Sequence, residues 1–217
     1  PPPVRLAPPI RMELRANGMS KGLAYHANSE FLWQHDDHRY QLSLRVSAFL
    51  IGVLRQTSTG RIDATGLLPE RFTDQRGRRS EKSALFDRAD GRIVFGSAVA
   101  PLAIQPGMQD RLSLFMQMGA WLAGDPARYP AGSGMTVQAV GTREAEPWVF
   151  VVEPPERLDL PGGAVQTVRL ARAPRKAEDT RVEVWYAPSL GYLPVRIRIT
   201  EPSGDYVDQQ LESLGPP

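Results

Sequence analysis

The chain has 217 residues, with 26 Lys or Arg against 24 Asp or Glu and a formal net charge of +2, too near balance for a protein that grips nucleic acid by its phosphates. At 41% hydrophobic and 23% charged it has the composition of a folded globular chain, and the absence of cysteine excludes disulfide scaffolds, thiolate zinc sites and thiol nucleophiles. No apolar run approaches the roughly 20 residues that cross a bilayer; the longest, Ala48 to Leu54, contains Gly52 and stops at Arg55.

Residues 1–9, with Pro1, Pro2, Pro3, Pro8 and Pro9, read as the end of a proline-rich linker. The chain opens on proline with no initiator methionine and so reads as a mature or trimmed form; that no signal peptide is seen says nothing about secretion. Beyond residue 9 the sequence is punctuated at short intervals by Gly and Pro, 19 and 20 in all. Between them run segments of period-2 alternation, the pattern of half-buried antiparallel strands. Strands are predicted at 10–15, 21–34, 38–49, 53–63, 69–74, 81–87 and 91–95. In the third of these, Leu42, Leu44 and Val46 share one face while Gln41, Ser43, Arg45 and Ser47 share the other.

Between the second and third strands lies His35-Asp36-Asp37-His38, the one cluster with metal-ligand or acid–base character. Two histidines three apart could hold a divalent ion if the turn folded inward, with His26 on the preceding strand as a third ligand. An Asp-rich tetrad between strands is also an ordinary solvated turn. Further on, Arg76-Gly77-Arg78-Arg79 at a predicted turn could meet anionic head groups, although the neighbouring acids Glu70, Asp74, Glu81, Asp87 and Asp90 offset most of its field. Asp90-Gly91 signals a hairpin.

Residues 109–123 break the strand pattern with helical spacing, with Asp110 placed to cap and Gly124-Asp125-Pro126 to terminate. On a helical wheel Leu112, Phe115, Met116, Gly119, Leu122 and Ala123 form one apolar stripe, and Leu114, Met118 and Trp121 form a second beside it. Ser113 and Gln117 occupy only a narrow polar arc. A surface helix needs one such stripe, so this helix must be covered on two sides. Either the second stripe faces a cavity, or both stripes are packed core.

Strands resume at 134–141, 146–153, 156–160, 165–173, 180–187, 192–201 and 205–212, with turns at Pro161-Gly162-Gly163 and Ser203-Gly204-Asp205. Val182 and Val184 alternate with Arg181 and Glu183, and Val195, Ile197 and Ile199 with Arg196 and Arg198. Glu144 and Glu146 are paired acids in what reads as a charged loop. Gly132-Ser133-Gly134 lacks the lysine and helix of a phosphate loop. No Gly-x-Ser-x-Gly elbow occurs.

Three phrases are distinctive together: Gly66-Leu67-Leu68-Pro69-Glu70-Arg71-Phe72-Thr73-Asp74, Gln109-Asp110-Arg111-Leu112-Ser113 and Gly191-Tyr192-Leu193-Pro194-Val195-Arg196-Ile197. On these the chain, from about Arg11 onward, resembles the bacterial domain of unknown function 3108 family. The resemblance implies an exported envelope protein that follows a signal or anchor, similar in layout to lipoprotein-carrier and β-spiral proteins, in which an incomplete antiparallel barrel wraps a helix. It supplies no catalytic residue.

The expectation is a mainly β chain: one β-rich domain over residues 10–214, a single antiparallel meander curled into an incomplete barrel around one helix at about 109–123. Its expected role is that of a non-enzymatic periplasmic protein, tethered to the inner membrane through an upstream segment or free. The half-open barrel would bind a lipid, acyl chain or lipoprotein, with Leu114, Met118 and Trp121 lining the cavity. No cofactor, metal, nucleic acid or transmembrane segment is expected. The alternative is a module that supports the cell envelope by binding a protein partner, with a packed, ligand-free interior. A third reading, a metal-dependent or hydrolytic enzyme, rests on the His35–His38 turn alone.

Overall fold

A computed structural model describes residues 1–49 and 52–217. Leu50 and Ile51, in the middle of the apolar run Ala48 to Leu54, lie outside the described residues. The N-terminal strands are β1 (Ile10–Ser20), β2 (Leu23–His35), β3 (Arg39–Ala48), β4 (Gly52–Asp63), β5 (Gly66–Arg76), β6 (Lys82–Asp87), β7 (Arg92–Phe95) and β8 (Leu102–Ala103). A two-residue strand β9 (Gln109–Asp110) then leads into the helix α1 (Ser113–Gly124). The C-terminal strands are β10 (Gly134–Val140), β11 (Ala145–Val152), β12 (Glu156–Leu160), β13 (Gly163–Arg172), β14 (Arg181–Ala187), β15 (Leu193–Thr200) and β16 (Tyr206–Gly215).

All sixteen belong to one sheet. Its order is β8-β7-β6-β5-β4-β3-β2-β1-β16-β15-β14-β13-β11-β10-β9, with β12 paired to β13 off this path. The meander expected from the sequence holds within each half, where hairpins join neighbours in order. Three pairings depart from it. β1 pairs with β16, Met12 opposite Leu214; β11 reaches past β12 to pair with β13; and β9 runs parallel to β10, with Gln109 opposite Ala139. The sheet curls into a barrel that is not closed by pairing, since its last strands, β8 and β9, are not joined.

Alternation places the core as the sequence predicts. Leu42, Leu44, Val182, Val184, Val195 and Ile197 are buried, whereas Gln41, Arg45 and Arg181 point to solvent. β1 runs to Ser20, past the predicted 15, because it is paired on both sides, with β2 and β16, and that pairing overrides a weak local pattern. In the other direction, helical spacing fails at Gln109 and Asp110. These two residues are drawn into β9, and α1 begins at Ser113. Pro69 lies within β5 opposite Gly60, next to a register shift between Thr59 and Gly60 of β4, the kind of irregularity at which a strand tolerates a residue with no amide N–H. Gly60 is needed there, since a Cβ would fall 2.2 Å from the Leu68 carbonyl oxygen.

The segment expected as a linker is seated on the barrel. The Arg5 amide donates to the Ala120 carbonyl of α1 at 3.0 Å. The Ala7 carbonyl accepts from Trp33 Nε1 at 2.8 Å and lies 2.8 Å from His35 Nε2.

Candidate functional site

α1 lies inside the curled sheet, between two apolar clusters. Leu112 and Met116 join Phe31, Trp33, Tyr40, Leu67 and Phe72 on the side of the N-terminal strands. Leu114, Phe115, Met118 and Leu122 join Met135, Val137, Phe150, Val184 and Tyr186 on the side of the C-terminal strands, with Trp121 packed at the margin. The double coverage inferred from the wheel is present. Leu114 and Met118 are wholly buried in packed core, Trp121 is half-buried, and none of the three borders the hollow described below. Gly119 is the physical reason. A Cβ there would sit 2.6 Å from the Tyr192 carbonyl oxygen and 3.1 Å from Tyr186 Cε1, so its absence lets the helix close onto β14 and β15 and fill the space that the second stripe would have faced.

The narrow polar arc of the helix faces protein as well. Gln117 Oε1 accepts from the Leu67 amide at 2.9 Å, and its Nε2 donates to the Thr65 carbonyl at 2.9 Å. Gln109 Nε2 donates to the Leu67 carbonyl at 2.8 Å. Asp110 is not the N-cap expected from the sequence: that position is Leu112, which makes no side-chain capping bond, and Asp110, two residues earlier in β9, accepts at Oδ1 from the amides of Leu112 and Ser113 at 2.9 and 2.7 Å. Its Oδ2 accepts from Ser58 Oγ at 2.5 Å, and that hydroxyl meets Tyr40 Oη at 2.9 Å. Burial pushes the Asp110 carboxyl up to about 6, against the pull of these donors. The three distinctive phrases of the sequence meet at this helix. The first supplies the Leu67 backbone that Gln117 and Gln109 grip, the second the carboxylate that accepts from the Leu112 and Ser113 amides, and the third the Tyr192 carbonyl against Gly119.

Alternate hairpins of an antiparallel meander turn at the same end. One end of the barrel therefore carries the β1–β2, β5–β6, β13–β14 and β15–β16 turns together with the adjoining ends of β3 and β4. Here the filling by α1 stops. A hollow of about 240 Å³ opens, floored by Phe31, Phe72, Phe115 and Ile197 and rimmed by Gln56, Asp74, Arg76, Arg111 and Glu144. A cleft of about 320 Å³ adjoins it, lined by Tyr25, Val46, Leu54 and Val207. The two share Leu44, Gln56, Arg76, Ile199, Glu201 and Gln209. Ligand sites run from roughly 300 to 1,000 Å³, so the hollow alone is small and the hollow with its cleft falls within range. Gln209 is buried on the shared wall, and its Oε1 has no hydrogen-bond partner among the described residues.

Arg111 and Arg172 lie over the Trp148 ring, 4.5 and 4.7 Å from its centre. Arg111 donates to Glu144 Oε1 at 2.7 Å, and Trp148 Nε1 donates to Glu146 Oε1 at 3.0 Å. The paired acids thus serve to fix the rim. Burial depresses the Arg111 guanidinium, and Glu144 beside it counters the effect.

The other sequence candidates lie apart from this hollow. The His35–His38 tetrad is at the opposite end. There Asp36 Oδ1 accepts from the amides of His38 and Arg39 at 2.7 and 2.8 Å, bonds that hold its carboxyl below the usual range. His26 instead bonds Asn17 Oδ1 through Nδ1 at 2.6 Å. No group of three His, Asp or Glu that could hold a metal occurs among the described residues. Arg76 lines the hollow, and Arg79 lines a neighbouring depression that shares Asp74, Arg76 and Thr142 with it, so the basic turn lies beside the candidate site. Gln209, Arg111 and Phe115 were not singled out by sequence reasoning as site residues. Phe115 was legible only as one member of the apolar stripe.

The family model described as "Protein of unknown function (DUF3108)" matches residues 26–211. No curated protein matches the sequence. Among solved structures, a beta-barrel-like protein of domain of unknown function DUF1849 from Brucella abortus is similar, with a TM-score of 0.64 and 14% identity over 99% of each chain. At that identity the likeness establishes the fold: mainly β, barrel-like, around one helix.

Proposed function

This chain belongs to the DUF3108 family, and from that premise we propose that it is a non-enzymatic protein of the periplasmic cell envelope that binds a hydrophobic ligand in the open end of its half-barrel. The observation that carries the reading is the apolar hollow with its adjoining cleft. Both are walled by Leu44 and Ile199 and overlooked by the unpartnered Gln209 amide oxygen. A buried acceptor with no partner costs about 1–3 kcal/mol. A ligand whose hydroxyl or amide donates to Gln209 while its acyl chain enters the hollow removes that cost. In this reading the ligand contacts fall on Phe115, Leu44 and Ile199, whereas Leu114 and Met118 lie in the packed core and Trp121 is half-buried at its margin.

Native mass spectrometry of the protein exported to a bacterial periplasm, followed by organic extraction, tests the proposal. The expected result is a lipid-mass adduct released by solvent and diminished in a folded Ile199→Lys variant. A clean apo mass, with no change in tryptophan emission on adding a fatty acid, overturns it. The full burial of Leu114 and Met118 favours a second reading, a protein-binding envelope module with a dry interior. Recovery of one defined partner by a protein that carries no adduct would support it.

A further inference from the structure

The rim around the hollow has a composition of its own. Phe49 is 88% exposed and Leu23 is 72% exposed. Both lie at the open end: Phe49 follows directly on β3, and β2 pairs Ala27 with Ala48, so that Leu23 projects past the end of β3 by four residues. The β5–β6 turn sits against the same edge, its Gly77 amide donating to the Val53 carbonyl of β4 at 2.8 Å. The acids of this turn are engaged, Asp74 with Arg76 at 3.5 Å and Glu81 with Arg71 at 3.4 Å. Arg78, Arg79 and Lys82 are exposed and make no ion pair among the described residues. The charge that this edge presents outward is therefore positive, and large apolar side chains stand beside it.

We propose that the open end of the barrel docks on a lipid bilayer that carries anionic headgroups, with Phe49 and Leu23 entering the interface and Arg78, Arg79 and Lys82 meeting the headgroups. Isolated apolar tips on a concave rim do not make the flat continuous patch of a protein interface. They suit a fluid surface, into which each can sink separately while neighbouring cations neutralise headgroups. The docking stands on the rim residues. It deepens the ligand reading by turning the mouth of the hollow, where Arg76 belongs to both, toward a source of acyl chains.

Co-sedimentation of the full chain with vesicles at low ionic strength tests the docking. The protein is expected to bind vesicles of equal parts phosphatidylcholine and phosphatidylglycerol at least about tenfold more tightly than vesicles of phosphatidylcholine alone. Arg78→Glu combined with Arg79→Glu should weaken the mixed-vesicle binding by about fivefold or more per residue. Phe49→Ser should weaken it by about tenfold. All three sites are exposed, so circular dichroism and melting should match the parent chain. Equal partition onto the two vesicle types, no partition onto either, or full binding by the double reversal overturns the proposal. A lipid adduct in the mass spectrum without vesicle binding overturns the docking and leaves the hollow as the ligand site. Vesicle binding without an adduct does the reverse.

Discussion

The two walls that hold the helix do so by different physics. On the side of β4 and β5, side chains of the helix and of β9 reach backbone groups. Gln117 and Gln109 bracket Leu67, and Asp110 gathers Ser58 and two amides around one carboxylate. On the side of β10 to β15 the contact is shape. Leu114, Met118 and Leu122 interlock with Phe150, Val184 and Tyr186, and a missing Cβ at Gly119 sets the distance. The first wall is directional and fixes register; the second supplies most of the burial. Together they explain why a helix apolar around most of its circumference keeps one orientation inside a barrel that is not closed by pairing, since slipping by a residue would leave several buried amides and a carboxylate without partners.

The contrast can be broken most strongly on the apolar wall. Leu114→Ala leaves a cavity in fully packed core and should cost about 2–5 kcal/mol, read as a fall in the urea midpoint without a change in slope. On the polar wall the expected effect depends on pH. The folded pKa of Asp110, about 6, stands above its ordinary value of 3.8, so the fold prefers the protonated form. The stability contributed by that preference is complete below about 4, declines as pH rises toward 6 and is constant above. The shift of about two units corresponds to roughly 3 kcal/mol. Asp110→Asn retains an acceptor for the Leu112 and Ser113 amides and should flatten that part of the stability–pH curve. An Asn variant with the parent's slope between pH 4 and 6 would show that other groups set it. The smallest effect probes a polar tie on the apolar wall, where Tyr186 Oη donates to the Phe115 carbonyl at 2.7 Å. Tyr186→Phe should cost about 1 kcal/mol in chemical denaturation.

The same contrast accounts for what could be read from the sequence. Alternation in β3, β14 and β15 and the double stripe of α1 are consequences of burial, and burial leaves a periodic trace; the curled sheet and the two-sided helix follow from them. The polar wall leaves no such trace. Ser58 and Asp110 stand far apart in the chain, and Gln117 looks like any solvent-facing residue in a narrow arc until the fold places Leu67 beside it. The site fared likewise. Wheel geometry identifies Leu114, Met118 and Trp121 as surplus apolar surface, but only the fold, with the close approach allowed by Gly119, shows Leu114 and Met118 packed, Trp121 at the margin and Phe115 lining the hollow. Gln209 lies on a strand with no pattern that marks it, and its missing partner is a fact of three-dimensional placement.

The pairing of β1 with β16 joins strands from opposite ends of the sequence. During synthesis β1 has β2 on one edge, while its other edge waits for the last strand of the sheet. Closing so large a loop is entropically demanding, and folds dominated by such contacts assemble slowly. For that interval the free edge of β1, with Met12, Leu14 and Ala16 still uncovered on its inner face, is a template for strand exchange with a second chain. The last zippering of the sheet is therefore a step exposed to strand exchange, and it ends when β16 covers this edge.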